Sequence, residues 1–323
     1  MGTPAAHADT VIAGCTIVSN PTPTNHTNCP GANFEQSDLT GMNLAYANLA
    51  GAQLSSAKLV SANLTGTDLS NAQLGNARLD WAKLPDANLR GAWLHLTAAF
   101  NADLTNADFT NAKVGYTRLD NANLTGANFT NANISGSYFH GTLLIPAAQR
   151  AFADLNTNSA VATWPTPPNL TGTTFESCDR ASGSTFSVGD TSVRCTVRTT
   201  AGAGFGVFTV TVTPSSLPTV TGDPHNAQVD TFYSFTFSRT GQPQPRITTT
   251  SSLPPGMTLD ETGYLYGTPT QSGTFPLTLT ARSEAGEHIF ETRLVVKGNG
   301  LGSSSGGSSG SSDSGSGSNI FGS

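Results

Sequence analysis

The sequence has few charged residues and no long apolar run. Asp, Glu, Lys and Arg together make up 11% of the chain, and the formal net charge is −6. No block of basic residues occurs, which excludes the electrostatic footprint of a nucleic-acid-binding protein. No stretch reaches the roughly 18 consecutive apolar residues of a transmembrane helix, so no membrane span is predicted.

Cysteine is also scarce, and its placement is informative. The four cysteines form two local pairs, Cys15 with Cys29 and Cys178 with Cys195. Because no CxxC or HxxxH spacing occurs, zinc is not expected. An even count in local pairs favours two structural disulfides made in an oxidising compartment, with four buried free thiols as the alternative. Residues 5–9 have the small residues of an A-x-A cleavage site, so we expect an exported protein, extracellular or at the cell surface, whose signal peptide is truncated.

A period of five residues dominates the first half of the chain. From Phe34 to Leu144 every fifth residue is large and apolar, except Ala99. The residue two positions earlier is usually Ala, Ser or Thr, and the one between them is usually polar. This period fits neither the 3.6-residue turn of an α-helix nor the two-residue repeat of a β-strand. A chain that turns a corner every five residues does fit it.

Four such sides close a square coil of twenty residues, and successive coils stack at strand spacing, about 4.8 Å. Side chains twenty positions apart then form internal columns, and in one of these columns Phe109 lies above Phe129. No single coil buries its own apolar face, so the repeats are predicted to form a solenoid. The predicted core ladder is another column: Leu44, Leu64, Leu84, Leu104 and Leu124.

The motif resembles the pentapeptide-repeat family, whose consensus is A-(D/N)-L-x-x. Ala47-Asn48-Leu49 and Ala102-Asp103-Leu104 match it literally. The resemblance covers residues 32–144 and implies a right-handed quadrilateral β-helix. Members of the family that mimic DNA and bind gyrase are acidic, whereas residues 31–144 here hold eight acidic and six basic side chains. That balance is a poor imitation of a phosphate backbone.

Two β-sandwich domains are predicted after the repeats, because alternating strand patterns replace the period of five. The run from Cys178 to Cys195, preceded by the strand Ala160–Trp164, resembles the HYR (hyalin repeat) domain, an immunoglobulin-like sandwich of extracellular proteins. The sequence departs from that family near residues 199–206, where the family carries a further cysteine, and this leaves the disulfide pairing open. Residues 252–275, with Leu-Pro-Pro-Gly-Met and Gly-Tyr-Leu-Tyr-Gly-Thr-Pro, resemble the putative-Ig (He_PIG) family, which is related to cadherin-like modules.

The fold class is therefore all-β, and the ends of the rod need caps because they expose apolar side chains and unpaired backbone. A short helix from Ala147 to Leu155 is predicted to cover the last coil. The predicted segments are a signal-peptide remnant (1–8), a disulfide-containing cap (9–31), the β-helix (32–145), the HYR-like sandwich (146–214), the putative-Ig sandwich (215–297) and a disordered Gly/Ser-rich tail (298–323).

Catalysis and metal binding have little support in the sequence. The six histidines are scattered over four segments, and the repeat aspartates are interpreted as solvated decoration, so no enzyme and no cofactor are predicted. Calcium is suggested only by analogy with cadherin-like folds, since the acidic residues of the last domain lack a compact spacing of oxygen ligands. Those residues are Asp223, Asp230, Asp260, Glu261 and Glu287.

One group of residues departs from the polar exterior expected of the rod, and we call it the aromatic surface. Exposed aromatic clusters often mark a surface for a partner; the alternative is that the N-terminal segment or a sandwich folds back over it. The aromatic surface consists of Trp81, Trp93, Leu96, Phe100 and Tyr116.

The predicted function is that of a bacterial structural or adhesion-type protein, secreted or on the cell surface, whose modules act as spacers and bind a protein or glycan. A repeat-built mimic or inhibitor of a protein target is the chief alternative, which a strongly acidic face would favour. An accessory binding module of a glycan-processing system is the second alternative. No nucleic-acid partner is expected.

Overall fold

The computed structural model describes residues 9–299. The signal-peptide remnant predicted over residues 1–8 lies outside that range, and so does the predicted Gly/Ser-rich tail apart from residues 298 and 299. The chain divides into two compact units, Met1–Ser215 and Ser216–Ser323. The described residues are all-β, as predicted, and contain no helix.

The period of five builds a four-sided rod in the first unit. Parallel bridges join residues twenty positions apart, from Asn28 with Asn48 to Arg118 with Tyr138. The backbone of each side bonds to the coils before and after it: the Leu64 N–H donates to the Lys83 carbonyl at 2.6 Å. This ladder satisfies the backbone of sides that are too short to form an ordinary sheet.

The interior of the rod is filled by the large residue of each repeat and the small residue two positions before it. Every residue of the predicted core ladder is buried, with exposed fractions from 0% for Leu64 to 2% for Leu104. The rings of Phe109 and Phe129 stack with centroids 4.7 Å apart and planes within 3°. Side chains twenty positions apart therefore share one column of the core.

The corners of the rod have the hydrogen bond and the left-handed third residue of a type II turn. At one corner the Ala47 N–H donates to the Leu44 carbonyl at 3.1 Å, and the third residue, Tyr46, has φ of 60°. Positive φ recurs at every fifth residue from Gly31 to Gly141. This position favours Gly and Asn, because other side chains crowd the backbone there.

A short hairpin covers the N-terminal end of the rod. Strands β1 (Thr10–Ile12) and β2 (Cys15–Ile17) pair antiparallel. The side chains of Cys15 and Ile17 are buried in the same core as the first coils. A disulfide joins Cys15 to Cys29, with Cα atoms 5.9 Å apart, and ties the hairpin to the first coil.

A β-sandwich follows the rod within the same compact unit. The strands are β3 (Gln149–Phe152), β4 (Ser159–Ala162), β5 (Thr174–Cys178), β6 (Ser184–Ser187), β7 (Gly189–Thr199) and β8 (Gly202–Thr213). The four-stranded sheet has the order β3-β8-β7-β5, and β4 pairs with β6. A disulfide links Cys178 to Cys195, which are directly paired residues of β5 and β7.

The sandwich closes the C-terminal end of the rod with strand β8, so the predicted helix from Ala147 to Leu155 is wrong. Residues within that stretch form β3, which pairs in parallel with β8. Phe205 of β8 exchanges backbone hydrogen bonds with the last coil: it accepts from Phe139 and donates to Ser137, both at 2.9 Å. A strand can continue the backbone ladder of the rod in this way, whereas a helix satisfies its own backbone and cannot.

The second unit is an immunoglobulin-like set of three sheets around its own core. The strands are β9 (Ser216–Thr221), β10 (Ala227–Gln228), β11 (Tyr233–Thr236), β12 (Ser238–Gln242), β13 (Arg246–Thr249), β14 (Met257–Leu259), β15 (Tyr264–Gly267), β16 (Gly273–Ser283) and β17 (Gly286–Lys297). The sheets have the orders β10-β17-β16-β13, β11-β15-β14 and β12-β9. Phe237, Leu265 and Leu279 are among the buried residues of this core.

Candidate functional site

Four corners of the rod carry large side chains in the left-handed conformation. Tyr46, Trp81, Leu96 and Tyr116 have φ values of 60°, 61°, 61° and 56°. The other corners from Gly31 to Gly141 carry Gly, Asn, Asp, Ser or Gln. A left-handed conformation costs about 1–2 kcal/mol for a residue other than Gly, and Asn tolerates it better than bulky residues do. Three of these four strained corners belong to the aromatic surface.

Burial does not offset that backbone cost at the three corners of the aromatic surface. The exposed fractions are 62% for Trp81, 52% for Leu96 and 54% for Tyr116. Trp93, which stands in the middle of a side rather than at a corner, is 45% exposed. Strained, exposed and apolar residues in adjacent coils indicate an interaction surface rather than a folding requirement.

One five-residue repeat departs from the pattern at several positions at once. Residues 96–100 place Leu96 at the corner and Ala99 in the core. The central outward residue is Ala98, the sole alanine at that position of the repeats from Asn28 to Tyr138. Departures from local rules that cluster in this way are expected at functional sites.

An aromatic cluster lies along one corner of this region. The His95 ring meets Tyr116 edge to face with centroids 5.4 Å apart, and it lies 6.5 Å from the Trp93 ring. Gly115 follows His95 in the same column, and a Cβ there would lie 3.5 Å from the imidazole, an ordinary van der Waals contact. The imidazole is therefore a neighbour of both larger rings, Trp93 and Tyr116.

The opposite corner of the same side combines Phe100 with Trp81. The backbone N–H of Trp81 donates to the Phe100 carbonyl at 2.8 Å. The Phe100 ring is half-buried, because the Arg118 guanidinium lies over it, 4.4 Å from the centroid. Phe100 is thus less exposed than the other four residues of the aromatic surface.

The side between these two corners, which we call the Ala98 side, carries two ion pairs that flank Ala98. Arg78, one coil before Ala98, contacts Asp80 at 2.9 Å. Arg118, one coil after it, contacts Asp120 at 3.2 Å. The aspartates are 9% and 12% exposed and the arginines 60% and 54%. The charge that faces solvent is therefore mostly that of the guanidinium groups.

Two rod carboxylates have perturbed acidity. Burial opposes ionisation of Asp108, but hydrogen bonds from Thr110 and Arg90 outweigh it and hold the pKa below the usual value of 3.8. Hydrogen bonds from the Thr40 hydroxyl and backbone lower the pKa of Asp38. Both carboxylates remain ionised at neutral pH and stabilise corners, as Asx side chains do in turns.

The ionisable side chains of the described residues do not gather into a metal site. Between residues 9 and 299 no group of three or more His, Cys, Asp or Glu side chains could hold a metal ion. Two of the calcium candidates are in ion pairs, Glu261 with Arg246 and Glu287 with Arg282. Burial raises the pKa of Tyr233 to about 12, so this phenol stays protonated at neutral pH.

A cleft lies where the rod meets the sandwich of the first unit. Its volume is about 700 Å³, and its walls are mainly apolar, with Leu143, Ile145, Pro165 and Val207 among them. The ring of His140 contacts the Val207 carbonyl. Nothing in the lining resembles a nucleophile paired with a base.

The structure thus brings most of the predicted aromatic surface together, around the Ala98 side. Sequence reasoning missed His95, Ala98, Arg78 and Arg118. Ala98 could have been found as the alanine that interrupts the polar outward positions. The role of the arginines could not, because whether an aspartate two positions later turns inward depends on packing between coils.

A rod of stacked four-sided coils followed by immunoglobulin-like sandwiches defines a modular structural and protein-interaction protein. Pentapeptide repeats match the chain in eight copies over residues 25–59, 62–97 and 102–141. The family described as Putative Ig domain matches residues 215–296. The chain therefore combines a pentapeptide-repeat solenoid with a Putative Ig domain. The HYR-like character of residues 146–214 stays a prediction.

Solved structures resemble single modules of the chain. HetL, a pentapeptide repeat protein involved in heterocyst differentiation regulation from the cyanobacterium Nostoc sp. strain PCC 7120, is 30% identical with a TM-score of 0.24; the match covers 36% of this chain and 62% of HetL, less than two thirds of its length. Rfr23 from the cyanobacterium Cyanothece 51142 is 26% identical over 36% of this chain and 89% of that one, with a TM-score of 0.28. Titin domain M7 is 22% identical over 26% of this chain and 96% of that one, with a TM-score of 0.22. No curated protein matches the chain.

Proposed function

We propose that the chain is a non-catalytic bacterial protein, exported to the cell surface or released, which binds a partner through the aromatic surface of its rod. The rod and the sandwiches act as a spacer that holds this surface away from the point of attachment. The two disulfides support export, because such bonds form and persist mainly in oxidising compartments. The described residues contain no helix long and apolar enough to cross a membrane.

The observation that carries the proposal is the choice of residue at the strained corners. Trp81 is 62% exposed although its φ of 61° suits Asn or Gly. The next residue in the same column, Asn101, shows that Asn fits there, with φ of 55°. A large aromatic side chain that weakens the fold and remains in water is best explained by contact with a partner.

The mimic alternative is less well supported, because the rod lacks a continuous row of free carboxylates. Asp38, Asp80, Asp108 and Asp120 are each paired with a Lys or Arg. A surface that imitates a nucleic acid needs closely spaced, unpaired negative charge. Asp103 instead accepts a hydrogen bond from the Thr105 hydroxyl at 2.6 Å.

The test is retention of the full chain on isolated bacterial envelopes and on a glycan array. Trp81→Asn combined with Trp93→Gln removes two rings and installs residues that occur in the same columns, Asn101 and Gln73. The matched control is Tyr46→Asn, a strained corner elsewhere on the rod. We expect the paired variant to lose retention by about tenfold or more and the control to keep it. Equal retention of the unaltered chain, the paired variant and the Tyr46→Asn control would refute the proposal.

A further inference from the structure

We propose that the Ala98 side binds an extended acidic segment of a partner protein, with one apolar side chain over Ala98 and carboxylates on Arg78 and Arg118. This inference rests on the proposed function and names the partner chemistry. It comes from a break in a regular pattern. The sequence Arg-x-Asp occurs at residues 78–80 and again at 118–120, and the coil between them has Ala-x-Phe at 98–100.

At the break the side chain is a single methyl group between two arginines, and we call this position the depression. Ala98 is half-buried and has only a methyl group where neighbouring coils carry arginine. Leu96 stands at the corner before it and Phe100 at the corner after it, and both are apolar. The parallel bridges of residue 98 with residues 78 and 118 place one arginine on either side of the depression along the rod. An apolar side chain seated there would have Leu96 and Phe100 at the two corners and an arginine in the coil on either side, with the Arg118 guanidinium over the Phe100 ring.

The arginines keep hydrogen-bonding capacity for a partner. Asp80 contacts the Nε and one Nη of Arg78, both at 2.9 Å. A guanidinium has five N–H donors in a planar fork, so the remaining edge of Arg78 is open to a second carboxylate. The exposure of Arg78 and Arg118, set against the near burial of Asp80 and Asp120, makes this side complementary to negative charge.

The spacing fits an extended peptide that runs along the rod. Arg78 and Arg118 are two coils apart, which is about 9.6 Å at strand spacing. In an extended chain, side chains on one face recur every second residue, about 6.6 Å apart. Carboxylates two residues before and two residues after the apolar residue are therefore about 13 Å apart, about 1.8 Å beyond each arginine position, an offset that the long arginine side chains can span.

The chemistry of the depression favours an amino-acid side chain over a sugar. The groups at its centre are the methyl of Ala98, the Leu96 side chain and the Phe100 ring, and the polar groups on either side are the guanidiniums of Arg78 and Arg118. Exposed guanidiniums on both sides of an apolar centre suit a segment that carries carboxylates around an apolar side chain. Trp81 and Tyr116 lie at the two outer limits of the side, where large aromatic residues serve as anchors in protein interfaces.

The probe is a library of random dodecapeptides displayed on phage and selected on the immobilised full chain. We expect enrichment of peptides in which an apolar residue has Asp or Glu two positions away on both sides. Ala98→Gln fills the depression with a residue found at the same position in other repeats, Gln53 and Gln73. This substitution should weaken the binding of the selected peptides by about tenfold or more without lowering the melting temperature of the protein.

The charge requirement has its own matched pair of variants. Arg78→Gln should weaken binding and reduce its salt dependence, because one exposed cation is removed. Lys83→Gln, which removes an exposed cation from a different side of the rod, should leave binding unchanged. Arg78→Gln is preferred to Arg118→Gln because Arg118 also packs on Phe100.

Several outcomes would overturn the inference. These are enrichment of neutral or basic peptides, absence of any enriched family, and peptides that bind Ala98→Gln as tightly as the unaltered chain. Retention on a glycan that Ala98→Gln abolishes would also overturn it, because the occupant would then be a sugar. Loss of envelope retention in the Trp81 and Trp93 variant, together with an unproductive library, would reject the acidic-peptide inference while the proposed function stands.

Discussion

The ring of Tyr116 lies over Gly136, the residue that follows it in the same corner column one coil later. A Cβ built on Gly136 would be 2.8 Å from the ring, and one built on Gly66 would be 2.9 Å from the ring of Tyr46. A Cβ built on Gly141 would likewise overlap the side chain of Asn121, the residue one coil earlier in its column. The side chains at these three corners therefore point along the rod onto the next coil, and each of the two tyrosines is paired with a glycine.

Gly136→Ala is expected to destabilise the rod through two effects. The alanine must adopt φ of 71°, which costs about 1–2 kcal/mol, and its methyl group overlaps the Tyr116 ring, which adds about 1–3 kcal/mol. The measurement is the free energy of unfolding in urea. Gly41→Ala is the control, because its φ is 68° and its Cβ would meet nothing within 4 Å. If both substitutions cost the same, the ring does not pack on Gly136.

The core of the rod and its corners could be predicted from the sequence because the signal is local and repeated many times. Leu64 and Leu84 identify their column through spacing alone. The strand that caps the C-terminal end of the rod could not be predicted. In the sequence, Gly202, Gly204 and Gly206 look like ordinary residues of a glycine-rich strand. Their role depends on the approach of β8 to the last coil, a contact between distant parts of the chain that no local pattern records.

Gly204→Ala tests this closure of the rod. A Cβ at Gly204 would lie 2.9 Å from the Ser137 carbonyl oxygen and would also overlap the Phe139 ring. Because a backbone oxygen cannot move aside, we expect a loss of about 2–4 kcal/mol of unfolding free energy and faster amide exchange at Phe139. Gly75→Ala is the control, since its nearest neighbour would be 3.7 Å away. Unchanged exchange at Phe139 would argue against the strand cap.

Asp108 predicts a specific dependence of stability on pH. Its pKa in the folded protein lies below the usual 3.8, so the carboxylate stabilises the fold above the unfolded pKa. That contribution is lost as the pH falls through the folded pKa. Asp108→Asn should therefore lower the free energy of unfolding at about pH 7 and differ little from the unaltered chain at about pH 2.

The control for this titration is Asp103→Asn. Asp103 accepts a hydrogen bond from Thr105 in the same turn geometry, but it takes part in no ion pair among the described residues, whereas Asp108 contacts Arg90 at 2.8 Å. At about pH 7, Asp103→Asn should lower the free energy of unfolding by less than Asp108→Asn, because it removes no ion pair. If Asp108→Asn lowers the free energy of unfolding as much at about pH 2 as at about pH 7, the loss comes from packing and not from the charge of Asp108.

The claim that strained corner residues are kept for binding is tested most directly by Trp81→Asn combined with Tyr116→Asn. Unfolding free energy and envelope retention are measured on the same preparations, with Tyr46→Asn beside them. Relief of the left-handed strain should raise the free energy of unfolding of both proteins by about 0.5–2 kcal/mol, while only the double variant loses retention. The account would be contradicted if the double variant were less stable than the unaltered chain and were retained on envelopes equally well.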